Sequence, residues 1–219
     1  MALQIPNLRL QYTFGGLLPS TDTTAIEYQH FIENFGTEGN VLLIGADARD
    51  LRSPEGLQAW YELAESIRFM DTRRDTVDDG IDKLVSLSLI DSVFSITHSF
   101  SLEKDTALRR FALKPLVDPG AMEVGGAVDS IFVQNLFDQV ESLPFYEGLL
   151  YTKRGDATLL TVFLDADLFN SKKRGTVVED VVALTDLWSE KHGIDLAISG
   201  LPFIRTEMTN KVKGEIGWF

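Results

Sequence analysis

Two stretches of this chain repeat the same order of segments, and this repeat limits the folds that the chain can adopt. Each stretch begins with an apolar run that ends in acidic residues, "VLLIGADARD" in the first and "TLLTVFLDAD" in the second. Each closes on a segment that opens with Gly-Ile-Asp, "GIDKLVSLSL" and "GIDLAISGLP". Self-similarity of this kind predicts an internal duplication.

A helical pattern lies between the two apolar runs of each stretch. In the first, Ser53 can cap a helix, Pro54 suits its first turn, and Glu55 suits the positive end of its dipole. Its apolar stripe consists of Leu57, Trp60, Tyr61, Ala64 and Ile67. The second helix is expected to end at His192 because Gly193 follows it. Its stripe consists of Val177, Val181, Leu184 and Trp188.

The short apolar runs predict strands. We expect strands at Val41–Ile44, buried on both faces, and at Lys83–Ile90, and two more within "TLLTVFLDAD" and "GIDLAISGLP". Two β-α-β units predict an α+β fold, a ferredoxin-like βαββαβ sandwich with its helices on one face of a four-stranded sheet. With 219 residues, the chain is expected to form one domain, with its core at about 36–98 and 145–204.

The segment 99–144 separates the two units and is expected to be a partly helical insertion. Within it, "DPGAMEVGGAVD" is typical of a loop, and "DSIFVQNLFDQVES" predicts a helix. The apolar residues of that helix are Ile131, Val133, Leu136, Phe137 and Val140. After the insertion, a hairpin is expected to turn at Arg154-Gly155-Asp156.

The first forty residues contain weaker patterns. Apolar residues follow period two between Leu3 and Phe14, which predicts a strand. Ala25 to Phe35 predicts a short helix that turns Ile26, Phe31, Ile32 and Phe35 toward the core.

Charge and composition exclude several classes of protein. A net charge of −13, with no run of more than three basic residues, argues against nucleic-acid binding. Since there is no cysteine, disulfides and thiolate metal sites are excluded. Met1 to Pro6 lacks a signal-peptide pattern, and no apolar run approaches the ~20 residues of a membrane span.

Acidic residues follow the two equivalent strands. Asp47 and Asp50 follow the first, and Asp165 and Asp167 follow the second. Ligands of open α/β sheets bind at the carboxyl ends of strands, and paired carboxylates can hold Mg²⁺ or Ca²⁺. The alternative is that these are solvated loop acids that favour the start of the following helix.

Other patterns associated with catalysis are missing. The chain has no G-x-S-x-G elbow and no glycine-rich phosphate loop, and "DTVDDGID" lacks the spacing of a calcium loop. None of His30, His98 and His192 has partners at the spacing of a local metal site, except that His192 lies near Glu190 at a helix end, where a surface role is the simpler interpretation. We therefore expect no enzymatic activity and no cofactor.

The closing segment predicts another helix. Thr206 can cap it, and Met208, Val212 and Ile216 recur at intervals of four, with Lys211 and Lys213 toward its end. Trp218 and Phe219 then stand beside lysines, as residues do at a bilayer interface. The alternative is that these two aromatic residues fold back onto the core.

The order of several motifs resembles one family. "ISGLPFIRTEMTNKVKGEI" is similar to the end of the first large extracytoplasmic loop of resistance-nodulation-division (RND) exporters, in the branch of the mycobacterial large membrane proteins, hopanoid exporters and patched-like proteins. In that branch, a Gly-x-Pro-x-Ile-Arg-Thr stretch leads into the second membrane helix. The matching positions are Gly200, Pro202, Ile204, Arg205 and Thr206.

Three further segments resemble the same loop in the same order: "YQHFIENFGTEGNVLLI", "LRSPEGLQAWYELAESI" and "GIDKLVSLSLIDSVF". The resemblance runs from Gln4 to Ile216 and is weakest from Ser99 to Pro144. It implies that residues 1–219 form one porter-type domain at the extracytoplasmic, periplasmic face of the bacterial inner membrane.

The resemblance also implies partners and a role. The domain would work with the membrane helices and the second porter domain of the same transporter, and would bind or conduct an apolar, lipid-like substrate during proton-driven efflux. An oligomer of the full protein is left open. Residues 1–35 and 205–219 would be membrane-proximal connecting segments, and both ends should lie on one side of the domain.

Two other classes of function stay open. One is a stand-alone divalent-metal-dependent enzyme, which requires the four strand-end aspartates to converge in one cleft. The exporter hypothesis predicts instead that these aspartates are scattered and solvated. The other class is an adaptor that binds a partner protein through an exposed sheet edge.

Overall fold

The computed structural model of the chain describes residues 22–23, 26–27, 30, 39–70, 89–105, 109–122, 128–165 and 173–216. Its strands are β1 Val41–Asp47, β2 Ile90–Phe94, β3 Phe100–Asp105, β4 Arg110–Pro115, β5 Ala157–Leu164 and β6 Leu196–Ser199. Its α-helices are α1 Ala48–Leu51, α2 Pro54–Arg68, α3 Pro119–Met122, α4 Ser130–Glu141, α5 Lys173–His192 and α6 Leu201–Ile216. Short 3₁₀ turns span Ile96–His98 and Pro144–Tyr146.

A four-stranded antiparallel sheet with the strand order β2-β5-β1-β6 organises the fold. Along β1, Val41 lies opposite Phe163 of β5, and Ile44 lies opposite Ile198 of β6. β1 and β2 are therefore parallel, with β5 between them, and β5 and β6 are parallel, with β1 between them. The chain is thus an α+β protein in which two β-α-β units interleave their strands in one sheet.

The core lies on one face of this sheet. Side chains alternate between the two faces of a strand, and the fully buried ones on this face are Leu42, Ile44, Leu160 and Val162. Helices α2 and α5 contact each other over the same core: the Trp188 Nε1–H donates to the Ala59 carbonyl at 2.9 Å, and its ring meets that of Trp60 edge-on. These contacts fix the two helices to each other.

A second, two-stranded sheet is formed by β3 and β4, which we call the hairpin (residues 100–115). Its base is attached to the body through Tyr146, whose hydroxyl donates to the Phe100 carbonyl at 2.7 Å and accepts from the Phe100 N–H at 2.9 Å. The hairpin follows β2, so it leaves the sheet at the end opposite to the start of β1.

The helices of the two units confirm the sequence predictions. Ser53 caps α2 by accepting from the Gly56 N–H at 3.0 Å, and the predicted stripes of α2 and α5 face the core. Gly193, with φ +66°, ends α5 as predicted. The predicted strand at 83–90 lies almost wholly outside the described residues; the strand observed there is β2, Ile90–Phe94.

Residues 99–144 are partly helical, as predicted, and the helix predicted within them is α4. Val133, Leu136, Phe137 and Val140 are buried as predicted, whereas Ile131 is exposed. Gly155, with φ +66°, forms the predicted turn before β5, and a single bridge between Tyr151 and Thr158 pairs its arms.

Several predictions are wrong. α6 begins at Leu201, so Thr206 does not cap it; Pro202 occupies its first turn, where a missing N–H costs nothing. β1 is fully buried on one face only. The loop predicted at 118–129 includes the helix α3. The hairpin was not predicted as strands.

The predictions for the first forty residues lie mostly outside the described residues. Ile26, Glu27 and His30 are helical, in agreement with the helix predicted at Ala25–Phe35. Ile26 is exposed, and so does not face the core as expected.

Candidate functional site

The motif that ends β6 forms the candidate site. Gly200 has φ +117°, a conformation that side chains with a Cβ rarely adopt, and a Cβ at this position would overlap the carbonyl oxygen of Val41. Only glycine therefore lets the chain turn from the edge strand into α6 while lying against the start of β1.

The residues after this glycine fix α6 to the body. Pro202, Arg205 and Thr206 are buried, and the Thr206 hydroxyl donates to the Pro202 carbonyl at 2.9 Å. Ile204 is exposed on another side of the same helix. The Gly-x-Pro-x-Ile-Arg-Thr stretch thus consists of one turn-forming glycine, three buried anchoring residues and one residue that faces outward.

The chain enters and leaves the sheet at the same end. Gly39, just before β1, lies so close to Leu201 that a Cβ there would be 2.6 Å from the Leu201 Cδ2. β6 ends beside the start of β1, because Leu43 pairs with Ser199 and Ala46 with Leu196. Residues 1–21 and 217–219 are outside the described residues, so the expectation for the two ends stays a prediction.

Four apolar residues of α6 form an exposed row that we call the α6 stripe: Leu201, Ile204, Met208 and Val212. The spacings of three and four residues place them along one line of the helix. Met208 and Val212 thus lie on one face of α6, as predicted, but this face is exposed. No helix in the described parts of the chain has the length and apolar character needed to cross a membrane.

The strand-end aspartates do not come together. Asp47 ends β1 opposite Ala157 at the start of β5, whereas Asp165 follows the end of β5. At about 3.3 Å per residue, the two lie about 25 Å apart along the sheet. Asp50 is exposed near Asp47, and Asp167 is outside the described residues. The cleft that the metal-enzyme hypothesis requires is therefore not formed by Asp47, Asp50 and Asp165.

Asp47 instead has a local structural role. Its carboxylate caps α1 by accepting from the Arg49 N–H at 2.9 Å, and it pairs with the Arg49 guanidinium at 2.6 Å. The side-chain hydrogen bond from Arg49 lowers the pKa of Asp47 from 3.8 to about 2. Elsewhere in the described residues, no group of three or more His, Asp or Glu side chains could hold a metal ion.

A polar network around His98 was not predicted. The His98 Nδ1 lies 2.9 Å from the Ser95 hydroxyl and 3.1 Å from the Thr97 hydroxyl, and its Nε2 lies 3.0 Å from the Glu65 carboxylate. The Tyr61 ring stacks on the imidazole. Serine, histidine and glutamate in contact are the components of a hydrolytic triad. Ser95 is 0% exposed, however, so a substrate cannot reach its hydroxyl.

The described part of the chain has open grooves on its surface, of which two are relevant here. One, of about 170 Å³, runs between α5 and α6; the other, of about 410 Å³, lies between the hairpin and α4 and is lined mainly by polar residues. The sheet face opposite the helices is half-buried and carries an apolar row, Val41, Leu43, Leu159 and Phe163. We call this face the second sheet face.

Comparison with protein-family models, with curated proteins and with solved structures finds no match to this chain.

Proposed function

We propose that the chain is a porter-type domain of an RND-type exporter, held outside the bacterial inner membrane between two membrane helices. In this role it takes part in binding or conducting an apolar, lipid-like substrate, together with the membrane helices and the second porter domain of the same transporter. It performs no catalysis. Residues 99–144 are an insertion on its core.

The observation that carries this proposal is the geometry at Gly200. A domain inserted between two membrane helices must receive and return the chain on one side. The described chain enters β1 and leaves β6 at the same end of the sheet, where Leu201 contacts Gly39 and Gly200 lies against Val41. The Gly-x-Pro-x-Ile-Arg-Thr stretch, which leads into the second membrane helix in the RND branch that it resembles, lies at this junction.

The strand order gives further support. We infer that the two interleaved β-α-β units form a ferredoxin-like βαββαβ sandwich, since the neighbours β6-β1-β5-β2 are all antiparallel and α2 and α5 share one face. Such a sandwich leaves its other face for a ligand or a second domain.

The second sheet face is our candidate for the surface that binds the substrate. Leu43, Leu159 and Phe163 present apolar side chains there, and they are only half-buried. Neither surface groove is a deep apolar cavity of the kind that encloses a lipid tail. We therefore expect the passage to be completed by a partner domain that packs over this face.

The gene on both sides of this reading frame tests the proposal most directly. We expect apolar spans of about 20 residues immediately before Leu3 and after Trp218. A stop codon directly after Phe219 would contradict the proposal.

Binding of a neutral apolar dye tests the role of the second sheet face. We expect Phe163→Ser to lower the affinity for N-phenyl-1-naphthylamine several-fold, with the fold checked by circular dichroism. Phe69→Ser is the control, because Phe69 is exposed and follows α2, outside the strands of the sheet. Equal dye affinity in both variants and the wild type would remove this face as the site.

A further inference from the structure

The hairpin exposes an unusual amount of apolar surface. Leu102 and Leu113 lie opposite each other, and Phe111 follows on the same face, two residues from Leu113. Their exposures are 54%, 63% and 68%. A two-stranded hairpin is marginally stable alone, and contiguous exposed apolar side chains mark an interaction surface. This face therefore has the character of an interaction surface.

The hairpin is also basic, in contrast to the rest of the chain. It has four basic residues (Lys104, Arg109, Arg110 and Lys114) and two acidic ones, Glu103 and Asp105, for a net charge of +2. The whole chain carries −13, so the remaining residues carry −15. Any second copy of this chain thus offers the hairpin a surface of opposite charge.

The groove between α5 and α6 has the complementary character. Its accessible apolar wall includes Val182 and Phe203, and the carboxylates on its rim are Glu179, Asp186 and Glu207. All three carboxylates are exposed, and Glu179 also accepts from the Asn210 amide. Among the residues that the structure describes, none with a basic side chain lines this groove. Its occupant should therefore be apolar at the centre and cationic at the edges.

We propose that the hairpin of one copy docks in the α5–α6 groove of a second copy. The groove volume of about 170 Å³ suits the ring of Phe111, since a cavity of about 150 Å³ accepts a benzene ring. Lys104 lies opposite that ring on the same face of the hairpin, and Arg109 precedes it at the turn; both pair with the rim carboxylates, as cationic side chains do around an apolar anchor at protein interfaces.

The backbone at Arg109 is consistent with this role. It has φ +50°, and no other non-glycine residue in the described residues has a positive φ. Such a conformation is unfavourable for a residue with a Cβ and is retained mostly at sites with a function. Arg109 lies at the turn between β3 and β4, two residues before Phe111.

The contact is head-to-tail, since two different surfaces meet. If the rotation that relates neighbouring copies returns to the first copy, repeated contacts build a closed ring; if it does not, they build an open chain of copies. The inference rests on the hairpin and the groove alone, so it stands or falls independently of the proposed function.

Two variants test the contact. Phe111→Ser with Leu113→Ser alters only exposed side chains of the hairpin, and Glu179→Lys with Glu207→Lys reverses two charges at the groove. We expect wild-type protein to associate in light scattering, and each variant to associate at least about 30-fold more weakly. An equimolar mixture of the two variants should form one-to-one pairs, because each supplies the surface that the other lacks.

Phe69→Ser is the control, since it removes an exposed phenylalanine outside both surfaces and should associate like wild type. Wild-type protein that stays monomeric at all concentrations would overturn the proposal. So would variants that associate like wild type, or a mixture that does not pair. Hairpin-dependent binding to phosphatidylglycerol vesicles without self-association would assign the hairpin to a lipid surface instead.

Discussion

At the scale of single residues, two glycines explain why particular motifs occur where they do. A Cβ at Gly56 would overlap the carbonyl oxygen of Asp50, and a Cβ at Gly200 would overlap that of Val41. Both glycines belong to short segments in which leucine follows glycine, "SPEGL" and "SGLP". Their presence follows from close backbone contact, which sequence spacing alone does not reveal.

Replacing Gly200 should be costly. Gly200→Ala combines an unfavourable φ with overlap against Val41, and we expect it to lower the free energy of unfolding by more than about 2 kcal/mol. Urea denaturation measures this change. The matched control is Gly214→Ala in α6, where a Cβ meets open space. It should be stabilising by about 0.5 kcal/mol. Equal effects in both variants would contradict the close contact at Gly200.

The carboxyl group of Asp47 should titrate at an unusually low pH. The side-chain hydrogen bond from Arg49 holds its pKa at about 2 instead of 3.8. A lowered pKa in the folded state means that its contribution to stability is complete above about pH 4 and is lost as the pH falls through about 2. Carbon-detected NMR titration of Asp47 measures this value, and Arg49→Gln should return it toward 3.8.

A titration midpoint near 3.8 in the wild type would show that the ion pair with Arg49 does not persist in solution. The pair is solvent-exposed, so its effect on overall stability is expected to be small.

At the scale of elements, the sequence predicted the helices and strands whose apolar residues recur with a regular period, and it missed those that lack such a period. α2 and α5 follow from apolar stripes, a capping serine and a terminal glycine. The hairpin was missed because its strands are short, and because its charged residues and exposed apolar residues do not mark a buried face. The start of α6 was predicted too late because threonine is a common capping residue. Pro202, a residue type that is frequent in the first turn of a helix, indicates the true start.

The base of the hairpin should depend on one hydroxyl group. Tyr146→Phe leaves both the N–H and the carbonyl of Phe100 without their partner, and we expect a loss of about 1–3 kcal/mol in the free energy of unfolding. The control is Tyr151→Phe, whose hydroxyl makes longer bonds to Glu141 and Leu143. It should cost less than about 1 kcal/mol.

Hydrogen exchange distinguishes a local effect from a global one. In Tyr146→Phe, we expect amides of the hairpin to exchange faster than those of β1 and β5. Burial also raises the pKa of Tyr146 above its ordinary value of 10.0, so the wild-type protein should lose stability as the pH rises above about 10. An unchanged hairpin in the variant would show that Tyr146 is not its anchor.

At the scale of the whole molecule, the antiparallel sheet separates residues that the sequence places in equivalent positions. Asp47 and Asp165 both follow apolar strands, but β1 and β5 run in opposite directions, so their carboxyl ends lie at opposite ends of the sheet. The sequence repeat therefore predicts the helices and strands well, but it does not predict which aspartates lie close together. The contact between His98 and Glu65 was missed because 33 residues separate the partners.

This separation predicts the response to divalent cations. Millimolar Mg²⁺ or Ca²⁺ should leave the Tm unchanged, because a site that binds only the folded state would raise it. A chelator-treated sample serves as the reference in differential scanning calorimetry. A clear rise in Tm that is abolished by Asp47→Asn would restore the metal hypothesis for that end of the sheet.

The chain enters and leaves through neighbouring ends of β1 and β6, and this arrangement sets how the domain responds to mechanical load. Tension applied through the two connections acts at one end of the pairing between these strands. It would peel their hydrogen bonds one after another, as a zipper opens, rather than shear them all together. The edge strand would then detach at low force while the pairing of β1 with β5 stays intact.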